Sequence, residues 1–272
     1  MARYLISPQA LAALDDVSIM DCRFSLVDPA LGQHQYHQGH IQGAHYLHLD
    51  RDLSAPKARH GGRHPLPDPE TLAARLRELG VSITRPVVCY DDQRLAFASR
   101  AWWLLRWLGH PDVRVLDGGF AAWREAGLAV SAALPDSPCG DFVARPDARR
   151  WVDINEVKTV PHRSDAALID AREAKRFRGD EEPIDPVAGH IAGAVNLPWQ
   201  DVTDAQGRFR DSNDQAVRWG ELLARDELVV YCGSGVTACV NLLALAELGR
   251  DDARLYPGSW SDWCSYLMPA SR

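Results

Sequence analysis

One of the six cysteines in this 272-residue chain stands in a setting that could activate it. Cys232 lies in the stretch YCGSGVTAC, Tyr231 to Cys239, directly after the apolar run ELVV and directly before the helix-like run VNLLALAEL. A strand that ends in a short glycine-containing loop and reopens as a helix aims several backbone N–H groups into one small concavity, which favours negative charge. A cysteine at the mouth of such a loop is expected to be a thiolate and hence a nucleophile. Gly233 and Gly235 let the backbone curl around a sulfur without a Cβ clash. The helix, expected to begin near Val236, adds a dipole of about half a charge at its N-terminus. Thr237 is placed to cap that helix or to donate to an anion held in the loop. Cys239, two helical turns further on, reads as a core residue.

The elements that must position this loop occur twice. Asp21-Cys22-Arg23 closes an apolar approach and is followed by GHIQGA from Gly39 to Ala44; Asp170-Ala171-Arg172 does the same and is followed by GHIAGA from Gly189 to Ala194. VVCYDD around Asp91 answers VVYCGS around Cys232, and LDGGFAAW ending at Trp123 answers YPGSWSDW ending at Trp263. Four landmarks in one order mark an internal repeat. Asp21 and Asp170 lie 149 positions apart and His40 and His190 150, but Asp91 and Cys232 lie 141 apart and Trp123 and Trp263 140, so the first copy carries nine extra residues after its GHIQGA. That surplus falls in the polar stretch containing Asp50, Arg59, His60, Arg63 and His64.

Within each copy short apolar runs alternate with helix-period segments such as Thr71 to Gly80 and Ala98 to Gly109, both ending in glycine. Such alternation predicts an α/β fold, each copy a mainly parallel sheet flanked by helices, with ligand sites at the carboxyl ends of strands. Cys232 sits at such an end. The expected division is a first domain over 1–135, a linker over 136–150 rich in Pro, Ala, Asp and Arg, and a second domain over 151–272. His40 and His190 recur in both copies, one of which lacks the cysteine, so a bracing role is expected for both.

With 46% hydrophobic residues the chain can bury a core in each domain, and its net charge of −7 and pI near 5.8 argue against nucleic acid or an anionic membrane as partner. No signal peptide and no membrane-spanning run is evident. The scattered cysteines form no C-x-x-C pair, so no metal site or cofactor is expected, and a cytoplasmic location is.

These residues resemble the tandem rhodanese-domain sulfurtransferases over nearly the whole chain, and the loop Cys232-Gly233-Ser234-Gly235-Val236-Thr237 is similar to that of the 3-mercaptopyruvate sulfurtransferases. The resemblance implies two rhodanese-like domains, only the second catalytic, with Asp91 in place of the first domain's cysteine. It implies that Cys232 takes sulfur from 3-mercaptopyruvate, holds it as a persulfide and passes it to a thiol or cyanide acceptor, a thioredoxin-like protein among the possible acceptors. Thiosulfate as donor, or a non-enzymatic persulfide carrier or redox module, are the alternatives. Phosphatases of related fold need an arginine closing C-x5-R; Ala238 stands there instead, and Tyr231 rather than histidine precedes the cysteine.

The same resemblance places Arg176 on the donor's carboxylate, with Arg178 close by and Arg172 tied to Asp170 or to backbone. Where the family often has a second arginine shortly afterwards, this chain has the acidic EEPID, Glu181 to Asp185; either Arg178 substitutes, or another donor is used, or the loop is arranged differently. Asp50 and His64 match positions that reach from the first domain towards the loop, where with Ser234 they would form a Ser–His–Asp relay. From the residues alone His64 is equally a surface histidine of a glycine- and proline-rich loop, with His60 and Arg63 as alternates.

Overall fold

The structure, a computed structural model, describes residues 3–136 and 138–268. Residues 1–2, 137 and 269–272, which fall within the expected first domain, linker and second domain, lie outside the described residues. The chain forms two compact units, and neither is continuous in sequence. One comprises Met1–Ala55, Pro67–Asp147 and Thr203–Phe209; the other comprises Pro56–Leu66, Ala148–Val202 and Arg210–Arg272. Where the sequence suggests contiguous domains at 1–135 and 151–272, each half gives a short segment to the other's unit.

The first unit is built on five parallel strands in the order Leu5–Ile6, Val113–Leu116, Val87–Tyr90, Ser18–Asp21 and Ala44–Tyr46. The second has four parallel strands in the matching order Arg254–Leu255, Glu227–Tyr231, Ala166–Asp170 and Val195–Asn196. In both, the strand before the loop of interest pairs with the Asp-x-Arg strand in the same register, Tyr90 opposite Asp21 and Tyr231 opposite Asp170. A small antiparallel pair, His40–Ile41 with Val130–Ser131, is added to the first unit.

The repeated motifs are explained by one buried hydrogen-bonded knot. Arg23 Nη2 donates to Asp21 Oδ2 at 2.6 Å and to the Gly39 carbonyl at 2.7 Å; Arg172 Nη2 donates to Asp170 Oδ2 at 2.7 Å and to the Gly189 carbonyl at 2.6 Å. The tyrosine ending each central strand completes it, its hydroxyl accepting the N–H of Ile41 at 3.2 Å or of Ile191 at 3.1 Å. A buried arginine persists only when paired and hydrogen-bonded, so Asp-x-Arg and Gly-His-Ile must recur together. His40 and His190 brace the same corner, with Nδ1 against the carbonyls of Tyr36 at 2.8 Å and Phe177 at 2.7 Å.

Helices follow the central strands and cover the sheets. Ala98–Trp107 is buried at every position, Arg100 and Arg106 included, and Ala238–Glu247 along nearly its whole length, which is why the latter is apolar on almost every side rather than on one stripe. Pro69–Glu78 starts at Asp68, whose carboxylate accepts the Thr71 N–H at 2.8 Å, and ends before Gly80 at φ +76°. Trp102, Trp103, Trp107, Trp123 and Trp260 are buried. Among the described residues no helix is long and apolar enough to cross a membrane.

Candidate active site

The Cys232 loop follows the strand Glu227–Tyr231 and leads into the helix Ala238–Glu247. The helix begins at Ala238 rather than near Val236, and Thr237, at the N-cap position, adopts αR backbone with no side-chain capping bond, so the capping role expected of it is not realised. Cys232 is 1% exposed, and its backbone is clamped on both sides. Its N–H donates to the Ser259 hydroxyl at 3.1 Å, and its carbonyl accepts from the Trp260 N–H at 3.0 Å; the Gly233 carbonyl accepts from Ser261 N–H at 2.9 Å.

Each loop glycine has its own reason. Gly235 is left-handed, at φ +76°, and a Cβ there would sit 2.3 Å from the Pro257 carbonyl oxygen. Gly233 is not left-handed; a Cβ on it would meet side chains, with Arg63 Nη2 at 2.8 Å and Arg176 Nη1 and Nη2 at 3.5 and 3.6 Å. Two guanidinium groups therefore lie over the residue next to the cysteine. Val236 is buried, and its carbonyl accepts the Cys239 N–H at 3.1 Å; Cys239 is itself fully buried, as a core residue should be.

The corresponding loop of the first unit shows what such a turn holds. Asp91 occupies the place of Cys232, its carbonyl accepting the Phe120 N–H at 2.8 Å as that of Cys232 accepts Trp260's. Its buried carboxylate accepts the N–H groups of Gln93, Phe97 and Ala98 at 2.8 Å each and of Leu95 at 3.1 Å. Burial pushes its pKa up to about 6, against the pull of these donors. The turn is thus an anion cradle whose anion, in one copy, is built in.

The segment Pro56–Leu66 belongs to the unit of Cys232 and carries two further groups to the loop. His64 is buried, with Nδ1 2.8 Å from Ser234 Oγ. Gly61 donates its N–H to Asp262 Oδ1 at 2.7 Å, and Gly62, at φ +82°, passes so close that a Cβ would lie 2.4 Å from the Gly258 carbonyl oxygen. The double glycine lets the segment lie flat against the start of the helix Ser259–Leu267. His60 is engaged elsewhere, its Nδ1 2.7 Å from Ser265 Oγ and its ring stacked on Tyr266. Asp50 belongs to the other unit, exposed in the turn after Ala44–Tyr46, where its N–H lies 3.1 Å from His48 Nδ1.

The acidic stretch fixes the arginines. Arg176 donates from Nη2 to Glu182 Oε1 at 2.7 Å and to Asp185 Oδ2 at 3.0 Å, while Arg63 Nη1 donates to the other oxygen of Asp185. Arg172 is held by Asp170 and by Glu182 at 3.2 Å. Burial pushes the Asp185 carboxyl above the usual range, opposed by Arg63 and Arg176. For Glu182 burial is again the largest single influence, but the Arg176 hydrogen bond and charge together with the backbone N–H groups of Asp185 and Ile184 outweigh it, and the net direction is down. Arg178 is not brought to the loop: it is exposed and pairs with Asp180 at 2.8 Å.

Ser259 and Asp185 are site residues that motif reading misses. Ser259 has φ +55°, where its repeat partner Gly119 has φ +58°. A non-glycine residue in that region signals a functional position, and here the hydroxyl holds the Cys232 N–H. The repeat alignment Gly119/Ser259 carries that signal in the sequence.

Comparison with known proteins accords with this geometry. The rhodanese-like domain model matches residues 7–126 and 153–266. The chain is 49% identical over 268 residues to the probable 3-mercaptopyruvate sulfurtransferase of Pseudomonas aeruginosa, covering 95% of this chain and 94% of that one. It is 40% identical to the putative thiosulfate sulfurtransferase SseB of Mycobacterium tuberculosis, covering 96% and 94%. SseA from Escherichia coli superposes with a TM-score of 0.82 at 33% identity, covering 95% and 99%; the 3-mercaptopyruvate sulfurtransferase from Leishmania major does so with 0.83 at 30%, covering 98% and 75%. The chain belongs to the rhodanese family, with two such domains in tandem. It is an enzyme, a sulfurtransferase.

Proposed function

We infer that the enzyme moves sulfane sulfur from 3-mercaptopyruvate, through a persulfide on Cys232, to a thiol or cyanide. The observation that carries the choice of donor is the 2.8 Å contact between His64 and Ser234 beside the cysteine. Loss of sulfur from mercaptopyruvate leaves an enolate that must be protonated, whereas thiosulfate leaves sulfite, which needs no proton. A hydroxyl hydrogen-bonded to a histidine is a proton-delivering pair, of use to the first donor only.

The Cys232 thiolate attacks the donor's thiol sulfur; the S–S bond forms as the C–S bond breaks, and the electron pair passes into the enolate of pyruvate. Ser234 delivers the proton that makes pyruvate and is reprotonated through His64. Asp50's part in orienting that histidine rests on the family resemblance. The loop N–H groups receive the charge of thiolate and persulfide as their counterparts receive the Asp91 carboxylate. Arg176 holds the donor's carboxylate, and Gly233, Gly235, Val236 and Thr237 shape the cradle; Arg178 has no part in it. Attack of an acceptor thiolate or cyanide on the outer sulfur regenerates Cys232. A thioredoxin-like protein has the thiol chemistry of such an acceptor, and six cysteines that form no disulfide suit a cytoplasmic location.

The thiosulfate reading has support in the Mycobacterium tuberculosis relative's name. Side-by-side kcat/KM values decide between the two, with mercaptopyruvate expected to be the better donor; a clear preference for thiosulfate refutes the assignment. Cys232→Ser should abolish transfer, and intact-mass spectrometry should show one added sulfur on the wild type alone. Turnover by the serine variant, or an added sulfur mapped to Cys239, removes Cys232 from its role.

A further inference from the structure

The arginine that the family often carries a few residues beyond Arg176 is replaced here by an acidic turn, yet two guanidinium groups converge on Gly233. We propose that Arg63, from the segment Pro56–Leu66, is the second arm of a carboxylate-binding fork with Arg176, and that Asp185 is the positioning residue that sets the spacing of the two arms. The proposal rests on the mercaptopyruvate reading for the identity of the donor, but not for the existence of the fork.

Asp185, buried, takes Arg63 Nη1 on one oxygen and Arg176 Nη2 on the other, at 3.0 Å for the latter. Glu182 takes Arg176 Nε at 3.3 Å and Nη2 at 2.7 Å. Among the described residues, Arg63 Nη2 and Arg176 Nη1 donate to no protein group, and these are the two nitrogens closest to the Gly233 Cβ direction, at 2.8 and 3.5 Å. The uncommitted nitrogens face the loop, and Arg176 Nη2, which the acidic turn holds, lies only slightly farther from the same point at 3.6 Å. A carboxylate over Gly233 takes one bond from each, a planar two-point geometry that guanidinium groups suit and lysine does not. In mercaptopyruvate two carbons separate sulfur from the carboxylate carbon, a span of about 3 to 4 Å that matches the ~3.8 Å step between consecutive Cα atoms. A donor whose carboxylate lies over Gly233 therefore presents its sulfur at Cys232.

The acidic turn thus does not repel the donor. It neutralises the two cations in the free enzyme and engages Arg63 Nη1 and Arg176 Nε and Nη2, which leaves Arg63 Nη2 and Arg176 Nη1 for the donor. Gly233 is required by the same arrangement, because any side chain there would occupy the carboxylate's place.

Alkylation of Cys232 by iodoacetate and by its neutral analogue iodoacetamide tests the fork without reference to the sulfur donor. In Arg63→Gln the iodoacetate-to-iodoacetamide rate ratio should fall about 10-fold, with the iodoacetamide rate unchanged, and Arg63→Lys should restore only part of it. In the same variant kcat/KM for 3-mercaptopyruvate should fall roughly 10- to 100-fold, mainly through KM. Asp185→Asn, which keeps the shape but not the charge, should lower the ratio while leaving the iodoacetamide rate intact. A ratio in Arg63→Gln within twofold of wild type overturns the fork, and equal loss of both rates in Asp185→Asn overturns its positioning role. A wild-type enzyme that ignores mercaptopyruvate, with a ratio that still falls in Arg63→Gln, sinks the donor assignment and keeps the fork.

Discussion

The two loop glycines make opposite predictions from one substitution. At Gly235, alanine meets two costs. Its φ of +76° is left-handed, which costs an L-residue about 1 to 2 kcal/mol. Its Cβ would lie 2.3 Å from the Pro257 carbonyl oxygen and 3.0 Å from the Pro257 carbonyl carbon and Cα, all backbone atoms. Relief requires Pro257 to retreat, and Pro257 leads into Ser259, which clamps the Cys232 N–H; overpacking of this kind costs about 1 to 3 kcal/mol. The sum, about 2 to 5 kcal/mol, should lower the melting temperature by roughly 5 to 15 °C. At Gly233 the nearest obstacle is the mobile end of Arg63, so alanine there should cost under ~1 kcal/mol in stability. It should instead displace a fork arm, and kcat/KM for mercaptopyruvate should drop about 10-fold. Thermal unfolding and steady-state kinetics on both variants decide it. A Gly235→Ala protein melting within 1 °C or so of wild type, or a Gly233→Ala protein that is the less stable of the two, would refute the steric reasoning.

Replacing His64 by asparagine should lower kcat with mercaptopyruvate about 100-fold or more but spare thiosulfate turnover, and equal losses with both donors would end the proton-delivery role. Arg176→Ala should reduce kcat/KM for mercaptopyruvate roughly 30- to 1000-fold, whereas Arg178→Ala stays within about twofold; iodoacetamide should still alkylate Cys232 in both, and a reversed order would reassign the carboxylate site. Asp91 predicts a pH dependence of stability. Its carboxyl sits at about 6 in the fold against 3.8 for the unfolded reference, so the native state binds the proton more tightly and stability falls as pH rises between those values. Two pKa units correspond to about 3 kcal/mol in a fully buried group. Urea midpoints of wild type and Asp91→Asn should therefore diverge across that range, and a difference that is constant with pH would contradict the assignment.

Much of this architecture can be read from the repeat, because each landmark performs a local duty that its partner also performs. Asp-x-Arg, the tyrosine at the strand end and Gly-His-Ile form one hydrogen-bonded corner, so finding one predicts the others. The loop was legible for the same reason: glycines, a helix start and a strand end are all adjacent in sequence. What could not be read was the destination of side chains brought in from a distance. Nothing near Arg63 announces that its partner is Asp185, 122 positions away. The acidic turn itself, taken in isolation, suggests repulsion of an anionic donor, because sequence shows the charges without the pairing that cancels them.

The duplicated fold holds the same turn twice, with a cysteine in one copy and an aspartate in the other. A turn that presents four N–H groups to one point is costly to leave empty once it is buried. In the first unit the Asp91 carboxylate satisfies all four and fills the turn as a structural plug. The turn that follows differs between the copies. Arg94 and Leu95 take left-handed backbone at φ +58° and +70°; the counterpart of Arg94 is Gly235, at φ +76° without that strain, and Arg94 Nε donates to the Thr203 hydroxyl at 2.8 Å. On the proposed mechanism the Cys232 loop has to leave the anion's place open to a sulfur that arrives and departs in every cycle. Glycines in the Cys232 loop and a fixed carboxylate in the Asp91 loop are therefore two solutions to one electrostatic requirement, one reversible and one permanent.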